Sequence, residues 1–170
     1  MSDEVTSGAA QGGASTSLPA ERPAAQIFPD FMAMSSAAVD ATGTGGWNFE
    51  DGSAWDASAP DLYFNPVPCS KNTDGTLKRE LQLELRGPSA GDPAATRDLM
   101  LAYLEDEDYE VARVIDPPAE MDKRTWIVTA TRSDGALIDY GANEAEQLLS
   151  FQSDCSGHPS MQGRVSAETR

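Results

Sequence analysis

The sequence predicts an α+β fold: an antiparallel or mixed sheet in the order strand, helix, four strands, with a further helix on its N-terminal side. Three observations predict it. Residues 125–155 have the composition of a three-stranded meander, residues 77–86 alternate between apolar and polar side chains, and a helix start stands between them at Asp92-Pro93. Two cysteines, Cys69 and Cys155, flank this region and add one predicted disulfide.

The meander is recognised by its residue types and its turns. Its first strand is β-branched and aromatic, which suits a pleated, half-buried surface. The dipeptide Asp134-Gly135 then favours a tight hairpin turn, because these residues adopt positive φ values easily. The three strands are predicted at residues 125–132, 136–140 and 147–154.

The strand at residues 77–86 has one apolar face and one charged face. Leu81, Leu83 and Leu85 alternate with Gln82 and Glu84. Such alternation indicates a sheet with one face buried and the other in water.

The helix that follows should begin at Asp92-Pro93, an N-cap carboxylate followed by proline in the first helical position. The acidic residues 105–108 should end it, because carboxylates oppose the helix dipole at a C-terminus. The strand at residues 109–115 follows. The apolar stripe of this helix is predicted to comprise Thr96, Leu99, Met100, Tyr103 and Leu104.

The chain divides into a leader, one domain and a tail. Residues 1–25 are rich in Ser, Gly and Ala, so we expect a disordered leader. Residues 26–156 should form a single α+β domain, and residues 157–170 a flexible tail. A helix beginning near Pro29 and ending at Thr42-Gly43 opens the domain. Its core stripe is predicted to be Ile27, Phe31, Met34 and Ala38.

Five of the twelve aromatic residues lie between residues 44 and 68, in a segment without clear periodicity. They are Trp47, Phe49, Trp55, Tyr63 and Phe64. We expect them to cover one side of the sheet. The alternative is that they form a ligand or partner surface, where tryptophan beside carboxylates suits a sugar or a cation.

The cysteine pair indicates a compartment. A disulfide between Cys69 and Cys155 is typical of proteins in an oxidising environment. The alternative is two buried thiols in a cytosolic protein. If the helix crossover makes strands 77–86 and 109–115 parallel, strand 77–86 runs antiparallel to strand 147–154. Cys69 then lies near Cys155, provided that those two strands are neighbours.

Charge and motifs exclude several functions. The net charge of −16 disfavours nucleic acid and anionic lipid, and it favours a cationic partner or none. The sequence lacks a nucleophile elbow, a phosphate-binding loop and a metal-ligand pattern. Ser156, His158 and Ser160 stand close together, but in a terminal loop they do not predict a catalytic triad. We therefore predict no catalytic, cofactor or metal residues and favour a non-enzymatic role.

Several short motifs resemble small exported lipoproteins of high-GC Gram-positive (actinobacterial) bacteria. These motifs span residues 45–155 and include Gly-Gly-Trp47, Val-Pro-Cys69, Gly-Asp-Pro93 and Ser-Phe-Gln-Ser-Asp-Cys155. The resemblance implies a cell-envelope location and a lipid anchor whose signal precedes this chain. It implies no site residues.

The expected function is that of a non-enzymatic extracytoplasmic cell-envelope protein, a lipoprotein domain with a binding or assembly role. Its partner would be a protein or small ligand at the envelope, with no nucleic acid and with membrane contact only through a lipid anchor. Two alternatives stay open: a hydrolase with a dispersed acidic site, and a cytosolic interaction protein with free thiols.

Overall fold

The structure, a computed structural model, describes residues 21–170; the first twenty residues of the predicted leader lie outside the described part. Within that part the chain forms two α-helices and ten strands. The helices are α1 (Ala24–Ala41) and α2 (Pro93–Asp106). The strands are β1 (Asn48–Phe49), β2 (Tyr63–Phe64), β3 (Val67–Lys71), β4 (Leu77–Glu80), β5 (Gln82–Pro88), β6 (Glu110–Ile115), β7 (Trp126–Thr131), β8 (Leu137–Ala142), β9 (Glu146–Gln152) and β10 (Val165–Ser166).

The central sheet has six strands in the order β1-β5-β9-β8-β7-β6, and every neighbouring pair is antiparallel. The predicted meander is β7-β8-β9, and β6 precedes it at one edge. β5 lies beside β9, and alternation across the sheet makes β5 and β6 parallel in direction. The predicted α+β fold is therefore confirmed. The strand predicted at residues 77–86 is divided into β4 and β5: β5 runs antiparallel to β9 as expected, whereas β4 pairs with β3.

One face of this sheet forms the core. The register brings two rows of apolar side chains together across four strands, and both rows are buried. They are Leu83, Phe151, Ile138 and Ala130 in one row, and Leu85, Leu149, Tyr140 and Val128 in the other. Both helices contribute to the same hydrophobic cluster. Burial of each large side chain in such a core contributes about 1.5–3 kcal/mol.

Helix α2 begins as predicted. The Asp92 side chain accepts a hydrogen bond from the Ala95 N–H at 3.0 Å. The predicted stripe is wrong at Leu99, which is 57% exposed, whereas Arg97 is buried. The reason is a polar contact: the Arg97 guanidinium donates to the Ile115 carbonyl at 2.8 Å at the end of β6.

Helix α1 begins earlier than predicted, at Ala24, so Pro29 lies inside the helix. A residue far away in the sequence holds its first turn: the Ala24 N–H donates to the Ser160 hydroxyl at 2.8 Å. The predicted stripe is buried at all four positions. The helix ends before Thr42 and Gly43, where Gly43 has a φ of 64° that suits glycine.

The packed chain continues beyond residue 156, so the expected domain end is revised. A 3₁₀ helix at Pro159–Met161 and the strand β10 follow, and β10 pairs with β2. Met161 and Val165 are fully buried. Apolar residues in a polar segment thus anchor it to the domain, and the domain takes in residues predicted to form the tail.

The predicted disulfide joins Cys69 and Cys155, whose Cα atoms are 6.0 Å apart and whose sequence separation is 86 residues. It connects β3 to the chain just after β9, where the topology placed the two cysteines. Such a bond is typical of an oxidising compartment. Among residues 21–170, no helix is long and apolar enough to cross a bilayer.

Candidate functional site

The five aromatic residues of the segment divide into two groups. Trp47 is only 4% exposed, and its ring lies against Gly87 at the end of β5. Phe64 is also buried, with ring centroids 6.1 Å from Phe28 and 5.4 Å from Phe31 of α1. Trp47 and Phe64 therefore cover part of the core, as the first interpretation of the segment expected.

The other three aromatic residues lie nearer the surface. Phe49 and Trp55 are half-buried and meet edge to face, with centroids 5.3 Å apart. Tyr63 is 44% exposed, and the Arg164 guanidinium carbon lies 3.9 Å from its ring centroid. This cation–π contact shows that the Tyr63 ring already attracts a cation within the chain.

These residues border an open groove of about 700 Å³ beside β5, which we call the β5-edge groove. A smaller depression of about 460 Å³ continues it and shares Phe49, Asp51, Leu62 and Tyr63. The volume falls within the range of small-ligand sites in proteins. The β5-edge groove is lined by Phe49, Glu50, Asp51, Leu62, Tyr63, Phe64, Asn65, Gln82, Leu83 and Glu84.

The groove exists because β1 is short. After Phe49 the chain turns back, and the Phe49 N–H donates to the Ser53 carbonyl at 2.8 Å. The Asp51 carboxylate fixes this turn by accepting hydrogen bonds from the Ser53 N–H at 2.9 Å and from its hydroxyl at 2.6 Å. Gly52 supplies a φ of 85°. The turn carries the chain away from β5 and leaves a gap at the edge of the sheet.

The groove is acidic. Glu50, Asp51 and Glu84 line it, and none of its described lining residues is a lysine or arginine. Hydrogen bonds from Ser53 lower the pKa of Asp51, so its carboxylate stays charged well into the acidic range. Glu84 also contacts Arg86 at 3.3 Å on the solvent side. Aromatic faces among carboxylates form a surface suited to a cation.

A second acidic cluster has a structural role. Carboxylate oxygens of Asp30, Asp134 and Asp154 lie within 4.8 Å of one another, close enough in principle for a cation. Arg132 already binds Asp30 at 2.5 Å and Asp134 at 2.6 Å, and Arg22 binds Asp154 at 3.0 Å. The two guanidinium groups supply the positive charge that a metal ion would bring. The cluster therefore fastens the start of α1 to the β7–β8 turn.

The serine and histidine group near the C-terminus also has a structural role. The Ser156 hydroxyl donates to the Arg22 carbonyl at 2.6 Å. The Ser160 hydroxyl lies 2.8 Å from His158 Nδ1 and accepts from the Ala24 N–H. These contacts hold the chain that enters α1. They do not assemble a nucleophile with a base and an orienting acid.

The structure brings Phe49, Tyr63 and Phe64 together in the groove, keeps Trp55 behind Phe49, and places Trp47 in the core. The carboxylates of the groove were not predicted as site residues. They belong to a turn and to the solvent face of a strand, where acids are common. A usable signal was the Asp-Gly-Ser pattern at residues 51–53, which marks a turn that interrupts an aromatic strand.

Comparison of the chain with models of protein families, with curated proteins and with solved structures found no match.

Proposed function

We propose that the chain is a non-enzymatic binding domain of the bacterial cell envelope, anchored as a lipoprotein, whose β5-edge groove binds a cationic ligand. One observation carries the proposal: the groove combines the partly exposed rings of Phe49 and Tyr63 with three carboxylates. None of its described lining residues is basic, and the cation–π contact of Arg164 with Tyr63 shows that this surface accepts a guanidinium group. Cations bind over aromatic faces, and neighbouring carboxylates strengthen the attraction.

The extracytoplasmic location is supported by two observations. The disulfide Cys69–Cys155 suits an oxidising compartment. The motifs that resemble exported actinobacterial lipoproteins lie within the folded domain, and a Ser/Gly/Ala-rich leader precedes it. A leader of that composition suits a tether between a lipid anchor and a domain.

Binding is better supported than hydrolysis. A general acid needs a pKa near the working pH, whereas the pKa of Asp51 is lowered. Burial raises the pKa of Asp154, but that carboxyl is held by Arg22 outside the groove. The free-thiol interpretation loses its premise, because the two cysteines are bonded.

The binding proposal is tested with spermidine, a small polycation, followed by NMR titration of the labelled protein. We expect shifts at the groove residues and weaker binding at higher salt, because exposed charges are screened. Asp51→Asn should weaken binding several-fold. Asp56→Asn is the matched control, because Asp56 makes the same two hydrogen bonds to Ser58 but does not line the groove. Absence of groove shifts, or equal effects of both variants, overturns the proposal.

The location is tested by fractionating cells that express the natural gene and detecting the domain with an antibody. We expect it in the envelope fraction, with no free thiol in the denatured, unreduced protein. Recovery in the cytosol with two free thiols contradicts the proposal.

A further inference from the structure

We propose that the ligand of the β5-edge groove is an extended cationic peptide segment, which adds as a strand to the open edge of β5 with a lysine or arginine opposite Glu84. This inference rests on the proposed function, because it uses the same groove. It adds the chemical class of the ligand and the way in which the ligand is held.

The edge formed by β4 and β5 is covered at both ends and open between them. β3 pairs with β4, and β1 pairs only with Leu85 and Arg86 of β5. Within residues 21–170, no strand pairs with Gln82 or Glu84 on this side. A strand edge of this kind presents unpaired N–H and C=O groups with which another chain can pair.

The backbone groups of Gln82 and Glu84 point toward the groove. The Ser153 N–H donates to the Leu81 carbonyl at 2.9 Å, so the backbone of Leu81 faces the β9 side. The pairing of β5 with β9 then runs without a bulge. Backbone N–H and C=O groups alternate in direction along an antiparallel strand. Those of Leu83 therefore point toward β9, and those of Gln82 and Glu84 point toward the open side.

The two faces of the sheet specify different side chains in the added strand. A residue opposite Glu84 lies on the solvent face, which Glu50 and Glu84 border, and a cation suits it. The next residue, opposite Leu83, lies on the core face, where Tyr63 and Phe64 line the groove, and an apolar side chain suits it. The preferred segment therefore alternates basic, apolar and basic residues.

Other occupants are disfavoured by charge and by edge geometry. A second copy carries the same net charge of −16. Residues 1–20 contain two acids and no lysine or arginine, so they do not supply the cation. The opposite sheet edge, β6, has a register shift between Val111 and Arg113, and bulges of this kind discourage strand addition.

The test uses the full chain and an acetylated, amidated Gly-Lys-Val-Lys-Gly peptide. We expect this peptide to slow amide exchange at Gln82 and Glu84. In an antiparallel strand both lysine N–H groups face β5 and the valine N–H faces away. N-methylation of both lysines should therefore weaken binding about tenfold, the effect of two lost hydrogen bonds, while N-methylation of the valine leaves it nearly unchanged.

A protein variant provides an independent readout. Gln82→Pro removes an N–H that faces the groove, at an edge position where proline is tolerated. Gln82→Pro and Gln82→Ala both remove the amide side chain from the groove, but only the proline also removes the N–H. Gln82→Pro should therefore weaken binding of the peptide several-fold more than Gln82→Ala does, whereas the two variants should bind spermidine alike. If Gln82→Pro does not fold, the N-methylated peptides still decide the question.

The outcomes separate the inference from the proposed function. If spermidine and all three peptides bind alike without slowed exchange, strand addition is overturned and the cation-binding function stands. If neither spermidine nor peptide binds, both fail. Protection at Glu110–Ile115, or protection of Gln82 by self-association without peptide, also overturns the inference.

Discussion

The indole ring of Trp47 lies directly on the backbone of Gly87. A Cβ atom placed on Gly87 would stand 2.9 Å from two carbons of that ring, closer than real Cβ contacts allow. Trp47 precedes β1 and Gly87 belongs to β5, so the contact holds the aromatic segment against the end of the sheet. The glycine permits this close approach because it has no side chain.

Truncation of the indole should destabilise the domain. Trp47→Ala removes a large buried ring, and we expect the free energy of unfolding to fall by about 3–5 kcal/mol. The Thr44 carbonyl also loses the hydrogen bond that it accepts from the indole Nε1 at 2.9 Å. Urea denaturation measures the change. A value within about 0.5 kcal/mol of the wild type would contradict the core position of this ring.

The reciprocal substitution, Gly87→Ala, should also destabilise the domain, by about 1–3 kcal/mol, because the added methyl group overpacks the contact with Trp47. Gly141→Ala is the matched control, since Gly141 lies in β8 of the same sheet and its nearest neighbour to a new Cβ is 3.5 Å away. Urea denaturation of both variants should show a lower free energy of unfolding for Gly87→Ala only. Equal losses would mean that the Trp47 contact is not the cause.

The sequence predicted those elements whose signals are local. The alternation of Leu81, Leu83 and Leu85, the Asp92 cap and the Asp134-Gly135 turn each act within a few residues of chain, and each is present in the structure. Local propensity and global fold agree at these places, so a few neighbouring residues are enough to predict the element.

The elements that were missed depend on distant partners. β1 and β2 have two residues each, too few for any periodicity, and they exist because β5 and β10 pair with them. The start of α1 at Ala24 depends on the Ser160 hydroxyl, 136 residues away. The groove shares this origin, because it lies where β1 stops pairing with β5. Its acids have no local signature that separates them from other surface acids.

Removal of the disulfide should destabilise the domain. Cys69 and Cys155 close a loop whose ends are 86 residues apart. Constraint of the unfolded chain by such a loop is worth about 4 kcal/mol in the chain-entropy description. The Cys69→Ser, Cys155→Ser double variant should therefore unfold at lower urea concentration. Thiol titration of the unreduced wild type should find no free sulfhydryl; two would contradict the bond.

The acidic cluster at the start of α1 should affect stability in opposite directions as pH changes. Burial raises the pKa of Asp154, although Arg22 opposes the shift. Burial acts in the same direction on Asp134, but hydrogen bonds from Arg132 and the Ala136 N–H outweigh it, and its pKa is lowered. Asp154 therefore favours the folded state at low pH and loses that contribution as pH rises through its raised pKa. Asp134 stabilises the folded state at pH values above its ordinary pKa, and this stabilisation is lost as the pH falls through its lowered pKa in the folded state.

Two variants separate these opposite dependences of stability on pH. We expect the free energy of unfolding of Asp154→Asn, relative to the wild type, to increase as pH rises above the ordinary aspartate pKa of 3.8. For Asp134→Asn the same difference should decrease as pH rises through the acidic range, because the wild type gains a contribution that the variant lacks. Urea denaturation between about pH 3 and pH 7 measures both, and contributions common to all three proteins largely cancel in the differences. If both differences change in the same direction with pH, the pKa values of Asp154 and Asp134 are not shifted in opposite directions in the folded state.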